Sequence, residues 1–257
     1  MKKSVFVTGA TNGTGFAIAC RFAKEGYDVF VGSRRQEDAD AAAEKIAQTY
    51  GVNAKGYQTE VYNEENVKEI FSSIRADGYL LDTLVLNAAN LGIGQVSLDV
   101  DMDDFMSVYN TNIGWNFMLA RQAAKQMMEK KKGSIVFITS NSALRVTENR
   151  CAYCSSKSAI LAMSKSLAVD WGKYGIRSNC VLPGMIKTSR WENNVNNAKY
   201  CLANYTPLQD IAEFEDIANA AWYFGSDESR NTTGAELTVD GGMLAQLTPN
   251  TSRTLWE

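Results

Sequence analysis

Short runs rich in β-branched residues alternate along this chain with longer segments of helix-forming composition, and that alternation most restricts what it can fold into. The runs are Ser4–Thr8, Val29–Gly32, Leu84–Leu86, Ile135–Ile138, Asn179–Leu182 and Leu237–Val239, with Lys55–Gln58 a weaker seventh. Segments between them, such as Phe16–Glu25, Glu37–Tyr50 and Glu64–Asp77, read as helices. Strands this apolar belong in a parallel sheet covered on both faces, and repeated β–α alternation winds into a doubly wound α/β layer. No Pro- or Ser-rich linker or charge block divides the 257 residues, so one domain, 1–257, is expected. In such sheets ligands sit outside the carboxyl ends of the strands, where strand order reverses. The loops that follow the strands therefore carry the function.

Composition narrows the partners. A net charge of −3 gives no electrostatic footprint for nucleic acid. The run Lys130-Lys131-Lys132 reads as the solvated end of a helix. No apolar run approaches a membrane span, and Val5-Phe6-Val7 is too short for a signal-peptide core. These point to a cytoplasmic protein acting on a small molecule. The 5 cysteines are an odd, scattered set, which argues against a disulfide framework. Cys151-Ala152-Tyr153-Cys154 forms a C-x-x-C that could be a redox pair, or two small apolar side chains around a helix start. With 0 histidines and no second C-x-x-C, no metal site is expected.

Directly after the first run comes Thr8-Gly9-Ala10-Thr11-Asn12-Gly13-Thr14-Gly15, followed by a helix opening with Phe16-Ala17-Ile18. Gly9 permits a tight turn, and Gly13 and Gly15 let a pyrophosphate approach the backbone. The helix N-terminus supplies free N–H groups and positive potential. Strand, turn and helix in this order make a dinucleotide phosphate site. The second run ends at Ser33-Arg34-Arg35, where a site selective for NAD would offer a carboxylate to the adenosine ribose. Arg34, supported by Arg35, would instead suit a 2′-phosphate. The competing reading is a solvated loop whose arginines pair with Glu37 or Asp38. NADP(H) is favoured over NAD(H).

Tyr153 and Lys157 stand four residues apart, which on a helix puts both side chains on one face. An ammonium about 4 Å from a phenol oxygen, at an effective dielectric of about 20, contributes roughly 4 kcal/mol. That is about three pKa units, enough to bring a tyrosine near neutrality. A half-buried Tyr with a snorkelling Lys is the bland alternative.

Together these motifs resemble the short-chain dehydrogenase/reductase family over nearly the whole chain. Thr8 to Gly15 matches T-G-x-x-x-G-x-G, Tyr153 to Lys157 matches Y-x-x-x-K, and Ser140 lies where the family places its catalytic serine. Asn87-Ala88-Ala89 resembles N-A-G, Asn112 falls at the family's helical asparagine, Pro183-Gly184 with Thr188 resembles P-G-x-x-x-T, and Asp240-Gly241-Gly242 resembles the closing D-G-G. The resemblance implies a Rossmann-type fold with a central seven-stranded parallel sheet. It also implies that Tyr153 exchanges a proton with a substrate oxygen, Lys157 lowers the phenol pKa and holds the nicotinamide ribose, and Ser140 orients the same oxygen. Asn112 would bend its helix and hold a water on its carbonyl. It lies on the apolar helical stripe Phe105, Val108, Asn112, Trp115, Leu119, Ala123, where a buried amide needs partners, so capping a nearby backbone group is the other reading.

For the cofactor the resemblance implies Gly9, Thr11, Asn12, Gly13, Thr14 and Gly15 at the phosphates, Ser33, Arg34 and Arg35 at the adenosine ribose, and Glu60 and Val61 at adenine. Asn87, Ala88, Tyr153, Lys157, Pro183, Gly184, Ile186 and Thr188 complete that set. Leu86, Ala89 and Glu60 depart from the family's Asn, Gly and Asp, and Asn12 stands where some NADP-preferring relatives carry a basic residue.

Residues 185–206 form the expected substrate loop, with the loops Leu91–Val96 and Ala143–Arg150 beside it. Met185, Ile186, Trp191, Tyr200, Tyr205, Leu144 and Val146 make this lining apolar and aromatic, which suits an apolar alcohol or ketone or else a subunit interface. The region around Tyr153 and the tail 243–257 are similar to bacterial hydroxysteroid dehydrogenases, whose substrates include bile acids. A 3-oxoacyl-carrier-protein reductase and a non-catalytic NADP(H)-binding sensor are the alternatives. Leu244, Leu247, Leu255 and Trp256 of the tail would close the pocket or reach a neighbouring subunit, and the family implies a homo-oligomer, a tetramer or dimer.

Overall fold

Each of the five inner strands buries both of its faces. In β1 (Ser4–Thr8), Val5 and Val7 pack into one core while Phe6 packs into another on the opposite side, as alternation along a strand requires. β4 (Thr83–Leu86) and β5 (Gly133–Ile138) repeat the division, with Val85, Val136 and Ile138 on the first side and Leu84, Leu86, Ile135 and Phe137 on the second. This two-sided burial is why the sequence shows continuous apolar runs rather than alternating ones. The computed structural model describes residues 2–188, 202 and 204–248.

With β2 (Asp28–Ser33), β3 (Ala54–Gln58), β6 (Ile176–Pro183) and β7 (Glu236–Val239), the sheet has 7 strands in the order β3-β2-β1-β4-β5-β6-β7. All neighbours are parallel, which is the expected doubly wound Rossmann-type arrangement. On one side lie α1 (Gly13–Lys24), α2 (Gln36–Tyr50) and α7 (Phe214–Gly225). On the other lie α3 (Glu64–Ala76), α5 (Asn116–Glu129) and α6 (Cys151–Gly172). Fully buried Phe6, Phe22 and Phe137 anchor the two cores; truncating such a side chain to Ala costs about 3–5 kcal/mol.

The chain runs outward from β1 to β3 and then returns across β1 to β4. The order therefore reverses between β1 and β4, and the crevice above their carboxyl ends is where a ligand belongs. β3 is an edge strand, and a Cβ on its Gly56 would lie 2.5 Å from the backbone N of Asp40. Close packing of α2 on β3 therefore requires glycine in a segment whose sequence signal it weakens.

α4 (Met102–Tyr109) continues into α5 through a π-helical stretch, Asn110–Trp115. The widened turn buries Thr111, Asn112 and Trp115. The lysine run differs from the sequence expectation. Lys130 is not a solvated helix end: its ammonium reaches the Leu80 carbonyl and the Asp82 carboxylate, and Lys132 pairs with Asp227 at 2.7 Å.

Candidate active site

The turn after β1 is built around close backbone contacts. Gly9 (φ +63°) and Gly13 (φ +53°) adopt the left-handed conformation that favours glycine. A Cβ on Gly15 would lie 2.1 Å from the Gly9 carbonyl oxygen and 2.6 Å from Nδ2 of Asn87. That amide donates to the Thr8 and Gly9 carbonyls, each at 3.1 Å, while Thr8 Oγ1 accepts from the backbone N–H groups of Asn87 (3.0 Å) and Ala88 (3.1 Å). The phosphate turn is thus stitched to the end of β4 across the switch point. Asn12 precedes α1 without a side-chain cap, which leaves the first N–H groups of the helix for an anion. Thr11 and Thr14 flank it, half-buried. A turn that closes this tightly on Gly15 and leaves the first helical N–H groups without a side-chain cap fits a dinucleotide pyrophosphate.

At the adenosine end, Ser33 closes β2 and its carbonyl accepts from Thr59 N–H at 2.7 Å. The two arginines differ. Arg35 donates to both carboxylate oxygens of Asp38, at 2.8 and 2.5 Å, the local ion pair of the competing reading. Arg34 is exposed and makes no ion pair among the described residues. Glu60 accepts from Nδ2 of Asn63 at 2.7 Å, and Val61 beside it is exposed.

The second half of the site is carried by α6 and by the ends of β4 and β5. Tyr153 and Lys157 share one face of α6, with the Lys157 ammonium 5.7 Å from the phenol ring centroid. Lys157 is buried, and its ammonium donates to the Ile138 carbonyl at 3.0 Å. Burial disfavours the charged form and draws its pKa down to about 8. Ser140 follows β5 in extended backbone, and its hydroxyl accepts from Ser142 N–H at 3.1 Å, capping a short turn.

Asn112 is fully buried, and its amide engages a nearby backbone, as the capping reading expects. Its Oδ1 accepts from Asn90 N–H (2.8 Å), and its Nδ2 donates to the Asn90 carbonyl and to Ser156 Oγ, each at 3.0 Å. Its own carbonyl, in the π-helical stretch, accepts from Nδ2 of Asn116 at 2.9 Å. Ser156 in turn donates to the Tyr153 carbonyl at 2.8 Å. The asparagine therefore ties the loop after β4 to the helix bearing the Tyr–Lys pair.

On the far side, Gly184 approaches Asp240 so closely that a Cβ would lie 2.5 Å from the Asp240 side chain, and Gly184 N–H donates to the Val239 carbonyl at 2.9 Å. Pro183 ends β6, Ile186 bridges to Ala212, and Thr188 is half-buried. Trp191 and Tyr200 of the expected substrate loop, and Leu255 and Trp256 of the tail, lie outside the described residues. The described part of the tail reaches both walls: Arg145 donates to the Gln246 carbonyl at 2.6 Å, and Gln246 Nε2 donates to the Asn204 carbonyl at 3.0 Å.

Of the C-x-x-C, Cys154 is buried and Cys151 exposed, and both are free thiols. No cluster of metal-ligating side chains occurs among the described residues, and none of their helices is long and apolar enough to cross a membrane. Sequence reasoning passed over Thr8, Asn90, Ser156 and Arg150. Thr8 was legible only as part of a motif; the others act through contacts that no spacing reveals.

A glycine-built turn at the switch point of a parallel sheet, with Tyr153 and Lys157 on one face of a neighbouring helix, defines a protein of the Rossmann-type α/β class. The chain belongs to the short-chain dehydrogenase/reductase family: a family model described as enoyl-(acyl carrier protein) reductase matches residues 9–244. Among curated relatives, the 7alpha-hydroxysteroid dehydrogenase of Paraclostridium sordellii is 34% identical over 247 residues, covering 93% of this chain and 91% of that protein. The 3-oxoacyl-acyl-carrier-protein reductase FabG of Rickettsia bellii is 34% identical over 244 residues, covering 94% and 97%. Among solved structures, ElxO with NADP bound has a TM-score of 0.87 at 30% identity, covering 96% and 100%. NAD+-bound xylitol dehydrogenase has a TM-score of 0.86 at 29% identity, covering 93% and 98%.

Proposed function

We propose that this protein is an NADP(H)-dependent oxidoreductase that interconverts a secondary alcohol and a ketone, with Tyr153 as the acid/base. What supports the reading is that the Gly9–Gly15 turn is tied through Asn87 to the end of β4, while Lys157, on the Tyr153 face of α6, is tied to Ile138 at the end of the neighbouring β5. NADP(H) held by that cradle supplies or accepts the hydride. During reduction Tyr153 donates its phenolic proton to the substrate oxygen; during oxidation it takes the proton back. Ser140 holds that oxygen with its hydroxyl, its own position fixed by the Ser142 N–H. Lys157 favours the phenolate and holds the ribose, and Asn112 keeps α6 in register with the loop after β4. Gly9, Thr11, Asn12, Gly13, Thr14 and Gly15 hold the phosphates. Arg34 holds the 2′-phosphate beside Ser33, without help from Arg35. Glu60 and Val61 flank adenine, and Asn87, Ala88, Pro183, Gly184, Ile186 and Thr188 line the nicotinamide half.

The substrate read here is an apolar hydroxysteroid or bile acid. Exposed Ile93, Val96, Leu144 and Val146 on the surrounding loops support it, as does the hydroxysteroid dehydrogenase relative. A 3-oxoacyl thioester is the second reading, favoured by an equally similar relative. We also propose a cytoplasmic homo-oligomer. The test is NADPH and NADH oxidation against steroid ketones, oxo bile acids and 3-oxoacyl thioesters, with Tyr153→Phe as control. Turnover of a steroid ketone that falls at least about a thousandfold in the variant is expected. Tight NADPH binding without turnover would overturn the catalytic reading in favour of a sensor, and preference for the thioester would overturn the substrate.

A further inference from the structure

Tyr153 carries a second cation. The guanidinium of Arg150 stands 4.9 Å from the centroid of the phenol ring, nearer than the Lys157 ammonium at 5.7 Å. Residues 150, 153 and 157 are spaced by three and four, so they fall along one helix face. Arg150 sits at the start of α6 with φ −131° and ψ 33°, and its carbonyl accepts from Cys154 N–H at 2.8 Å. The preceding residue, Asn149, is held at φ +60°, a conformation asparagine tolerates better than most. Its carbonyl accepts from Gln95 N–H at 3.0 Å. Backbone ties on both sides therefore aim the arginine back over the ring. Its guanidinium makes no ion pair among the described residues, so its charge is not cancelled locally.

We infer that Arg150 is a positioning residue for Tyr153, a permanent cation on the face of the phenol that favours the phenolate and sets the pH at which the hydroxyl exchanges its proton. The inference rests on the acid/base reading of Tyr153 and goes beyond the Tyr–Lys pair. A cation on an aromatic face is attracted to the neutral ring and more strongly to the phenolate, whose charge is delocalised into that ring. The need for it is local. Lys157 is buried with its ammonium on the Ile138 carbonyl and loses its charge more readily than an ordinary lysine, whereas arginine keeps its charge at every working pH.

Among the described residues, a few other charged and titratable groups belong to the elements around Tyr153. From α6 come Cys151 and Lys157. From the loop before it come Glu148 and Arg145, the latter turned to the Gln246 carbonyl. From α4 comes Asp104, which lines the same small cavity as Tyr153, Phe105 and Val108. The loop Leu91–Val96 contributes no charge. Asp104 opposes Arg150, and its removal should act in the reverse direction.

The test needs neither substrate nor turnover. The phenolate of Tyr153 is read as the difference in ultraviolet titration between each protein and the same protein carrying Tyr153→Phe. Arg150→Met is expected to raise the Tyr153 step by about one pH unit, a tenfold loss of phenolate, given the solvent open to this partly exposed pair. Arg150→Lys should raise it less, Asp104→Asn should lower it, and Arg145→Met should leave it in place. An unmoved step in Arg150→Met would overturn the inference, as would an equal shift in Arg145→Met. If Arg150→Met does not fold, Arg150→Gln carries the same reading. A step that moves in a protein that reduces no carbonyl would defeat the proposed function and leave the electrostatic coupling standing.

Discussion

The two ends of the sheet differ in how completely their cations are paired. At the amino ends of the strands, cations are answered by carboxylates: Lys2 by Asp28, Lys3 and Lys132 by Asp227, and Lys130 by Asp82. Arg177, half-buried there, is answered by Ser229 Oγ and by the Ser226 and Thr232 carbonyls. At the carboxyl ends the pairing is mixed: Arg35 pairs with Asp38 and Lys187 with Glu213, whereas Arg34, Arg150 and Lys157 have no carboxylate partner among the described residues. Cations left uncompensated are costly or idle in the free protein, so their concentration at one end marks where anions and a titrating phenol are to be met. The paired end contributes to holding the fold.

The largest effect that would break this division is steric. Gly15→Ala should weaken NADPH binding by about a hundredfold and destabilise the protein by about 2 kcal/mol, because the new Cβ overlaps the Gly9 carbonyl; fluorescence titration and thermal melting measure the two. Retained affinity would mean that the cradle is not the phosphate site. Next, Arg34→Ala should weaken NADPH by about tenfold to a hundredfold while leaving NADH unchanged, as expected for loss of a charge-assisted phosphate contact. Arg35→Ala should change little, since Arg35 is already engaged with Asp38.

Lys157→Met tests the cost of an unpaired cation. It should abolish turnover yet stabilise the cofactor-free protein by about 2 kcal/mol at neutral pH, read by denaturant melts. The folded pKa of Lys157, about 8, lies below its ordinary 10.5. The unfolded chain therefore holds a proton that the folded one gives up across that window, and stability should rise as pH climbs from about 8 to about 10.5. The variant should lack that rise. Smallest is Asp227→Asn at the paired end. Lys3 and Lys132 hold its carboxyl at about 2, so its contribution is present above its ordinary value near 4 and is lost as pH falls toward 2. Both pairs are half-exposed, and the loss should be under about 1 kcal/mol and shrink with salt.

Much of this was legible in the sequence, for identifiable reasons. The strands β1, β2, β4, β5 and β6 read clearly because each is buried on both faces and so is apolar throughout. β3 read weakly because it lies at an edge and spends one position on Gly56. The cradle was legible because its glycines have no substitute at such distances. Arg34 and Arg35 were indistinguishable as letters; only the three-residue reach to Asp38 separated them. Lys130 looked solvated because its partners, Leu80 and Asp82, lie about fifty positions away in the chain. Arg150 gave no signal, since its aim depends on the left-handed backbone of Asn149. The stripe through Asn112 was visible, but a continuous helical pattern hides a widened turn.

That widened turn makes two properties of the protein inseparable. Removing one residue from Asn110–Trp115 would restore a regular helix and rotate α4 against α5 by about 100°. Asp104, Phe105 and Val108, which wall the cavity beside Tyr153, would swing away while Asn112 lost its hold on Asn90. The shape of that cavity wall and the anchoring of α6 are thus set by a single inserted position, and a lineage altering one by insertion or deletion here would have to rebuild the other.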